Sequence, residues 1–250
     1  MQPHRNKYWL FPKIDDQAAW NAQVVEVCSV YREAVELYRT CGVHTVSMDE
    51  QTGIQALQRI ARDLLPQPGL FARREYEYIR HGTLGLFGNL HVATGKILSP
   101  LIRQTRTEAD FLQNVARLVQ TDPAAHWRFV TDNLNTHCSE SLVEYVAQQC
   151  GINTDLGVKG RRGILKSLQS RREFLRDPSH RIRFIYTPKH CSWLNQIEIW
   201  FGTLRKKLTR YGSFSSLENL QERILRFIDY YNQTMAKPYR WTCDGSLLCK

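Results

Sequence analysis

The order in which two periodicities alternate along this chain constrains its fold more than any other feature. Apolar residues step by three and four through Trp20, Val24, Val27, Val30 or Tyr31, Val35 and Tyr38, which predicts a helix over 15–40. Asp15 and Asp16 suit its start and Gly42 its stop. "VHTVSMDE" (43–50) follows as a strand ending at Asp49. Residues 54–65 fit neither period, and 66–82 read as a loop that enters a strand through "REYEYIRHG". "TLGLFGNLHVATGKILSPLIRQT" reads as two strands about a turn at Ala93-Thr94-Gly95-Lys96. The helix "EADFLQNVARLVQ" comes next, then the strand "HWRFVTDN", ending at Asp132. A helix capped by Ser139 and stopped by Gly151, the strand "RIRFIYTP", a helix begun by Ser192 through "SWLNQIEIWFGTLRKKLTR" and a last helix over 215–232 complete the order. Antiparallel strands followed by alternating strands and helices predict an α/β fold, a mixed sheet with helices packed on its faces. Ligands gather in such sheets where strand ends meet helix starts, and Asp49 and Asp132 both stand at expected strand ends.

The bulk properties narrow the partners. A 42% hydrophobic chain of 250 residues can bury a core, and no run approaches the ~18–20 apolar residues of a membrane span. The N-terminal "MQPHRNKYWLFPK" lacks the apolar stretch of a secretory signal, so a soluble, cytoplasmic protein with no membrane partner is expected. Seven scattered cysteines without a CxxC pair argue against a disulfide framework or a zinc module and for reduced thiols. The net charge of +10 favours a polyanion, either nucleic acid or an acidic membrane surface. It is concentrated in "KGRRGILKSLQSRREFLR" (159–176) and "RKKLTR" (205–210), which read equally well as solvated faces.

Glu198 is the odd residue of its helix. Trp193, Leu194, Ile197, Trp200, Phe201, Leu204 and Leu208 fill one arc of the wheel, and Glu198 falls about 40° beyond its edge. A half-buried carboxylate is costly unless it is paired or metal-bound. A Lys or Arg partner is one account. The other is that Glu198 joins Asp49 and Asp132 as hard oxygen ligands of magnesium or manganese. Two such ions, ~4 Å apart, serve the attacking and leaving oxygens in phosphoryl transfer.

The blocks "VSMDE", "TDNLNTH" and "TPKHCSWLNQIEIWFGTLRKK" resemble, in combination, the three acidic blocks of DDE transposases, and the match is to the bacterial insertion-sequence group related to mariner elements. The resemblance runs from about residue 4 to residue 242. It implies an RNase H-like α/β fold, a mixed five-stranded sheet with helices on both faces. It also implies Asp49, Asp132 and Glu198 as catalytic and metal-binding residues, with two divalent cations, Mg2+ or Mn2+, as cofactors. The implied activity is metal-dependent cleavage of transposon ends and strand transfer of the 3′-hydroxyl into target DNA, typically at a TA dinucleotide, without a covalent protein–DNA intermediate. Double-stranded DNA and a second copy of the chain, as a homodimer, are the implied partners. The implied organisation is a linker and helix at 1–40 following an absent helix-turn-helix region, a catalytic domain at 41–235 and a tail at 236–250.

Two departures qualify that expectation. Between Asp132 and Glu198 lie 65 residues, more than is usual in the family; the excess corresponds to a basic insertion near 155–180. It reads as a contact with DNA or another subunit, or as a disordered loop. The opening "QPHRNKYWLFP" resembles the linker after a DNA-reading region, which implies a fragment, a catalytic-domain piece or half of a frameshifted gene.

Further residues carry weaker readings. Asn133 and His137 flank the second acid and either order the metal's outer shell or serve as a turn cap and a helix start. Lys189, His190, Arg161, Arg162, Arg171, Arg172, Arg205, Lys206 and Lys207 are candidate DNA contacts. Trp193 and Trp200 read as core. The rivals to a working transposase are a non-catalytic DNA-binding relic or truncated transposase, and a nuclease for RNA–DNA hybrids.

Overall fold

The computed structural model describes residues 14–245, so most of the expected N-terminal linker and the last five residues lie outside the described residues. Five strands form one sheet in the order β3-β2-β1-β4-β5. They are β1 (His44–Arg59), β2 (Tyr78–His91), β3 (Leu101–Arg103), β4 (Trp127–Thr131) and β5 (Ile182–Tyr186). β1, β2 and β3 pair antiparallel, and β1, β4 and β5 pair parallel. Six helices are described: α1 (Gln17–Cys41), α2 (Glu108–Val119), α3 (Glu140–Gln149), α4 (Leu168–Arg176), α5 (Ile197–Leu204) and α6 (Leu217–Thr234).

Period-two alternation sends side chains to both faces. Val46, Met48, Phe129 and Phe184 pack with Phe111 and Val115 of α2 and Val143 and Val146 of α3. Val130 and Ile185 pack the other way, against Val24 and Val27 of α1. Farther along that face Leu86 and Leu90 meet Trp200 of α5 and Ile224 of α6. Helices therefore cover both faces of an RNase H-like mixed sheet. The helix signals act as read: Asp16 accepts the Ala19 N–H at 2.9 Å, Gly42 ends α1 at φ 66°, and the Ser139 side chain caps α3.

Three expectations are corrected. The first strand does not end at Asp49 but runs on to Arg59, because β2 extends with it as far as the Arg59↔Tyr78 pair. Residues 54–59, which fit neither period, follow a register shift between Gln51 and Ile54 that blurs their alternation. The helix expected from Ser192 begins at Ile197. Ser192–Leu194 form a 3-10 turn and Asn195 is extended (φ −81°, ψ 107°), so Ser192 is no N-cap and Trp193 is exposed rather than core. Trp200 is core as expected.

The basic segment near 155–180 is folded. It forms a 3-10 turn (Ile164–Lys166) and α4, with Leu165 and Leu175 in the core. The six described cysteines are free thiols. Among the described residues no helix is long and apolar enough to cross a membrane.

Candidate active site

The parallel pairing of β1 with β4 ends at Ser47↔Val130, where the two strands part. Asp49 lies two residues farther along β1, and Asp132 directly follows β4. Asp49 pairs across β2 with Gly88. A Cβ on Gly88 would come within 2.7 Å of Phe201 and 3.1 Å of Ile197, so its absence lets α5 lie against the sheet beside Asp49.

Asn195 joins these parts. Its Nδ2 donates to the Met48 carbonyl at 2.9 Å and to Asp49 Oδ2 at 3.1 Å, and its Oδ1 accepts from the Ser47 hydroxyl. Ser47 Oγ in turn accepts the Ile197 N–H at 3.0 Å. The start of α5 is thus capped by a strand side chain instead of by its own preceding residue, which explains why the helix does not begin at Ser192. Glu198 stands in the first turn of α5. It is exposed, forms no ion pair with a Lys or Arg among the described residues, and partial burial of its carboxyl raises its pKa.

A second set of contacts lies behind the aspartates. Glu50 points to the sheet face opposite Asp49, as adjacent strand residues do. Buried His137 bridges Glu50 and Asp132: Nε2 lies 3.0 Å from Glu50 Oε1 and Nδ1 lies 2.7 Å from Asp132 Oδ1. Its ring stacks on Phe111 at 4.1 Å between centroids. Burial would lower its pKa, but hydrogen bonds and charge from Asp132 and Glu50 win and raise it to about 9. A ring so raised favours the doubly protonated form, which would donate one N–H to each carboxylate. Burial pushes Asp132 up as well, but the His137 bond and charge, the Leu134 N–H and Arg172 outweigh it and leave its pKa lowered.

Asp49 is the opposite case. Burial, then the charge of Asp132, raises its pKa to about 7; Glu50 and Glu198 add to the rise, and the Glu50 N–H only partly offsets it. This is a like-charge neighbourhood that a divalent cation would relieve. The donor chemistry fits magnesium or manganese: the oxygens are hard, and both side-chain hydrogen bonds to Asp132 fall on Oδ1, leaving Oδ2. The convergence is looser than the chemistry, because among the described residues no three His, Cys, Asp or Glu side chains close into a metal-holding group.

The expected DNA contacts separate. Arg205, Lys206 and Lys207 are exposed on a π-helical turn that continues α5. Arg161 and Arg162 are exposed near the tip of the insertion, Arg162 paired with Asp155. Arg171 is buried and donates to the carbonyls of Cys138 and Leu165, so it faces no solvent and leaves the set. Lys189 and His190 are exposed after β5, and with Arg172 and Asn133 they line a cleft of about 360 Å³. Asn133 also donates to the Thr187 carbonyl, so its amide ties the second acid's loop to the end of β5.

Sequence reasoning missed Glu50, Ser47 and Asn195. All three lie inside the quoted blocks "VSMDE" and "SWLNQIE", beside the acids that drew attention.

The family described as DDE superfamily endonuclease matches residues 44–221, more than half of the chain. No curated protein matches. Among solved structures, the Mos1 mariner paired end complex with Mn is similar, with a TM-score of 0.55 and 14% identity over 90% of this chain and 59% of that one. A pre-cleavage Mos1 transpososome (TM-score 0.50, 11% identity, 90% and 59% covered) and the Mos1 strand transfer complex (0.50, 11%, 90% and 58%) are similar too. The described fold thus spans less than two thirds of the Mos1 chains, and at these identities the likeness is one of fold. The chain itself, by the family match across its sheet and all three acidic blocks, belongs to the DDE superfamily endonucleases.

Proposed function

We propose that this domain cuts DNA and joins a freed 3′-hydroxyl to a second duplex, as a transposase catalytic domain. The observation that carries the reading is that Asp49 and Asp132 stand together where β1 and β4 part, with burial and the neighbouring acids raising the Asp49 pKa. Asp49 and Asp132 would hold the divalent cations, with Glu198 completing the set from α5. Bound there, Mg2+ or Mn2+ would lower the pKa of the attacking hydroxyl and neutralise charge on the leaving oxygen.

The chain's own residues supply order. His137 fixes Asp132 Oδ1, and Asn195 fixes Asp49 Oδ2 and the start of the Glu198 helix. In the first step a water oxygen bonds to phosphorus and the 3′-oxygen leaves as a hydroxyl. In the second, that hydroxyl attacks a target phosphodiester and displaces its 3′-oxygen. Duplex DNA is the substrate, exposed cations at Arg161, Arg162, Lys189 and Arg205–Lys207 serve its backbone, and two ends held together call for a second copy of the chain.

The lack of three His, Cys, Asp or Glu side chains closing into a metal-holding group among the described residues favours a second reading, a DNA-binding relic that no longer cuts. Supercoiled plasmid with Mg2+ or Mn2+ separates the two. A working domain nicks and joins the plasmid, and Glu198→Gln, folded and still binding DNA, does not. Equal cutting by both would remove Glu198 from the site. Binding without cutting by the wild type would leave the relic.

A further inference from the structure

The inserted segment near 155–180 has no role yet, and its cations are not equivalent. Lys159 pairs with Glu140, Arg162 with Asp155 and Arg176 with Glu26. Arg171 is spent on two backbone carbonyls under the 3-10 turn Asn135–Cys138. That bond fixes α4 against the segment that follows Asp132. The next residue, Arg172, is consequently aimed at the second acid's loop: Nη2 donates to the Asn133 carbonyl at 3.0 Å, and the guanidinium lies 5.8 Å from the Tyr186 ring centroid. Arg172 is half-buried and forms no ion pair among the described residues, although its charge reaches Asp132. Its charge is met only in part, by Asp132, so the half-buried guanidinium can take a further anion.

The cleft beside it has room for one. Arg172, Lys189 and His190 give it three basic side chains with no ion pair among the described residues, and Asn133, the residue after Asp132, lines it too. Asp15 and Asp16 line the far wall, but Asp16 is turned to the Ala19 N–H as the α1 cap. The planar fork of an arginine suits a phosphodiester's paired oxygens, and a lysine nearby adds a point charge.

We infer that this cleft is a phosphate site for the DNA strand entering the acid cluster, with Arg172, delivered by the inserted helix α4 and locked in place by Arg171, as its principal cation. The inference rests on the DNA-cutting reading and adds to it a defined contact, one that the insertion brings to this chain.

Binding of a short random-sequence duplex, followed by fluorescence anisotropy in EDTA across a range of salt, tests it. Each phosphate contact contributes a slope of about 0.9 in log K against log salt. Arg172→Gln should lower the slope by about that amount, and Arg172→Lys should keep it. An unchanged slope in a folded Arg172→Gln protein would overturn the assignment and leave Arg172 as a pin for the Asn133 carbonyl. A second measurement needs no variant: saturating duplex should protect Arg172 of the wild type from phenylglyoxal, read by peptide mass. Equal modification with and without DNA contradicts the site. If the wild type binds DNA with no salt dependence, the DNA reading falls, and the phosphate site with it.

Discussion

The two ends of the parallel strands both carry buried histidines, and they treat them in opposite ways. Where β1 and β4 begin, His91 and His44 face each other at 3.3 Å, and the outer nitrogens are held by Thr94 at 2.8 Å and Asp122 at 3.1 Å. Burial, then the neighbouring His44, lowers the His91 pKa to about 4. Where the same strands part, His137 sits between two carboxylates and is raised to about 9. At one end burial disfavours a proton on His91, and the two rings close on each other, Thr94 and Asp122. At the other, Glu50 and Asp132 flank His137, the charge of Arg172 reaches Asp132, and Asp132, Glu50 and Glu198 all push the Asp49 pKa up. Residue type did not decide the charge state; the neighbours did. That contrast leaves like-charged carboxylates near one another where the strands part.

The comparison breaks most sharply at the histidines themselves. His137→Ala leaves Glu50 and Asp132 without the charge between them. It should cost about 3–5 kcal/mol in urea unfolding. His91→Ala removes a neutral ring and its hydrogen bonds and should cost about 1–3 kcal/mol. Equal losses would mean that His137 is neutral.

The pH dependence should run in opposite directions. His137 is raised in the folded state, so its contribution is full below about 6.5 and is lost as pH climbs through about 9. His91 is lowered, so its contribution is present above about 6.5 and is lost as pH falls through about 4. Either span is worth at most about 3 kcal/mol. Melting temperatures of His137→Gln and His91→Gln across pH should each flatten one limb of the wild-type curve and leave the other.

Asn195 sharpens the acidic end without adding charge. Asn195→Ala frees the Asp49 carboxylate and uncouples α5 from Ser47, and Mn2+ binding should weaken by about 10–100-fold. Titration calorimetry of the folded variant checks it; unchanged affinity would make Asn195 a helix anchor alone. The smallest effect is expected at Gly88, where a methyl meets Phe201 at 2.7 Å. Gly88→Ala should destabilise by about 1–3 kcal/mol and tilt Glu198 away from Asp49. A neutral outcome would show that α5 can slide.

The sheet was legible because its signals are local. Period-two runs, Asp16 and Ser139 caps and Gly42 sufficed for β4, β5, α1, α3 and the first half of β1. The family was legible by its three acidic blocks. The start of α5 was not, because Ser47, 150 residues away in the chain, caps it. Glu50 escaped for a related reason. Alternation along β1 sends it away from Asp49, and only the fold brings His137 beneath it. Arg171 and Arg172 are identical as letters, and packing alone makes one an anchor and the other a reach.

The central claim, that Asp49 and Asp132 form a cation site, is tested most directly by Mn2+ binding read by electron paramagnetic resonance from pH 5.5 to 8.5. Asp49 must lose its proton to bind, so affinity should rise about tenfold per pH unit up to about 7 and then level. Asp49→Asn should lose both the binding and its pH dependence. Wild-type affinity in Asp49→Asn would contradict the account.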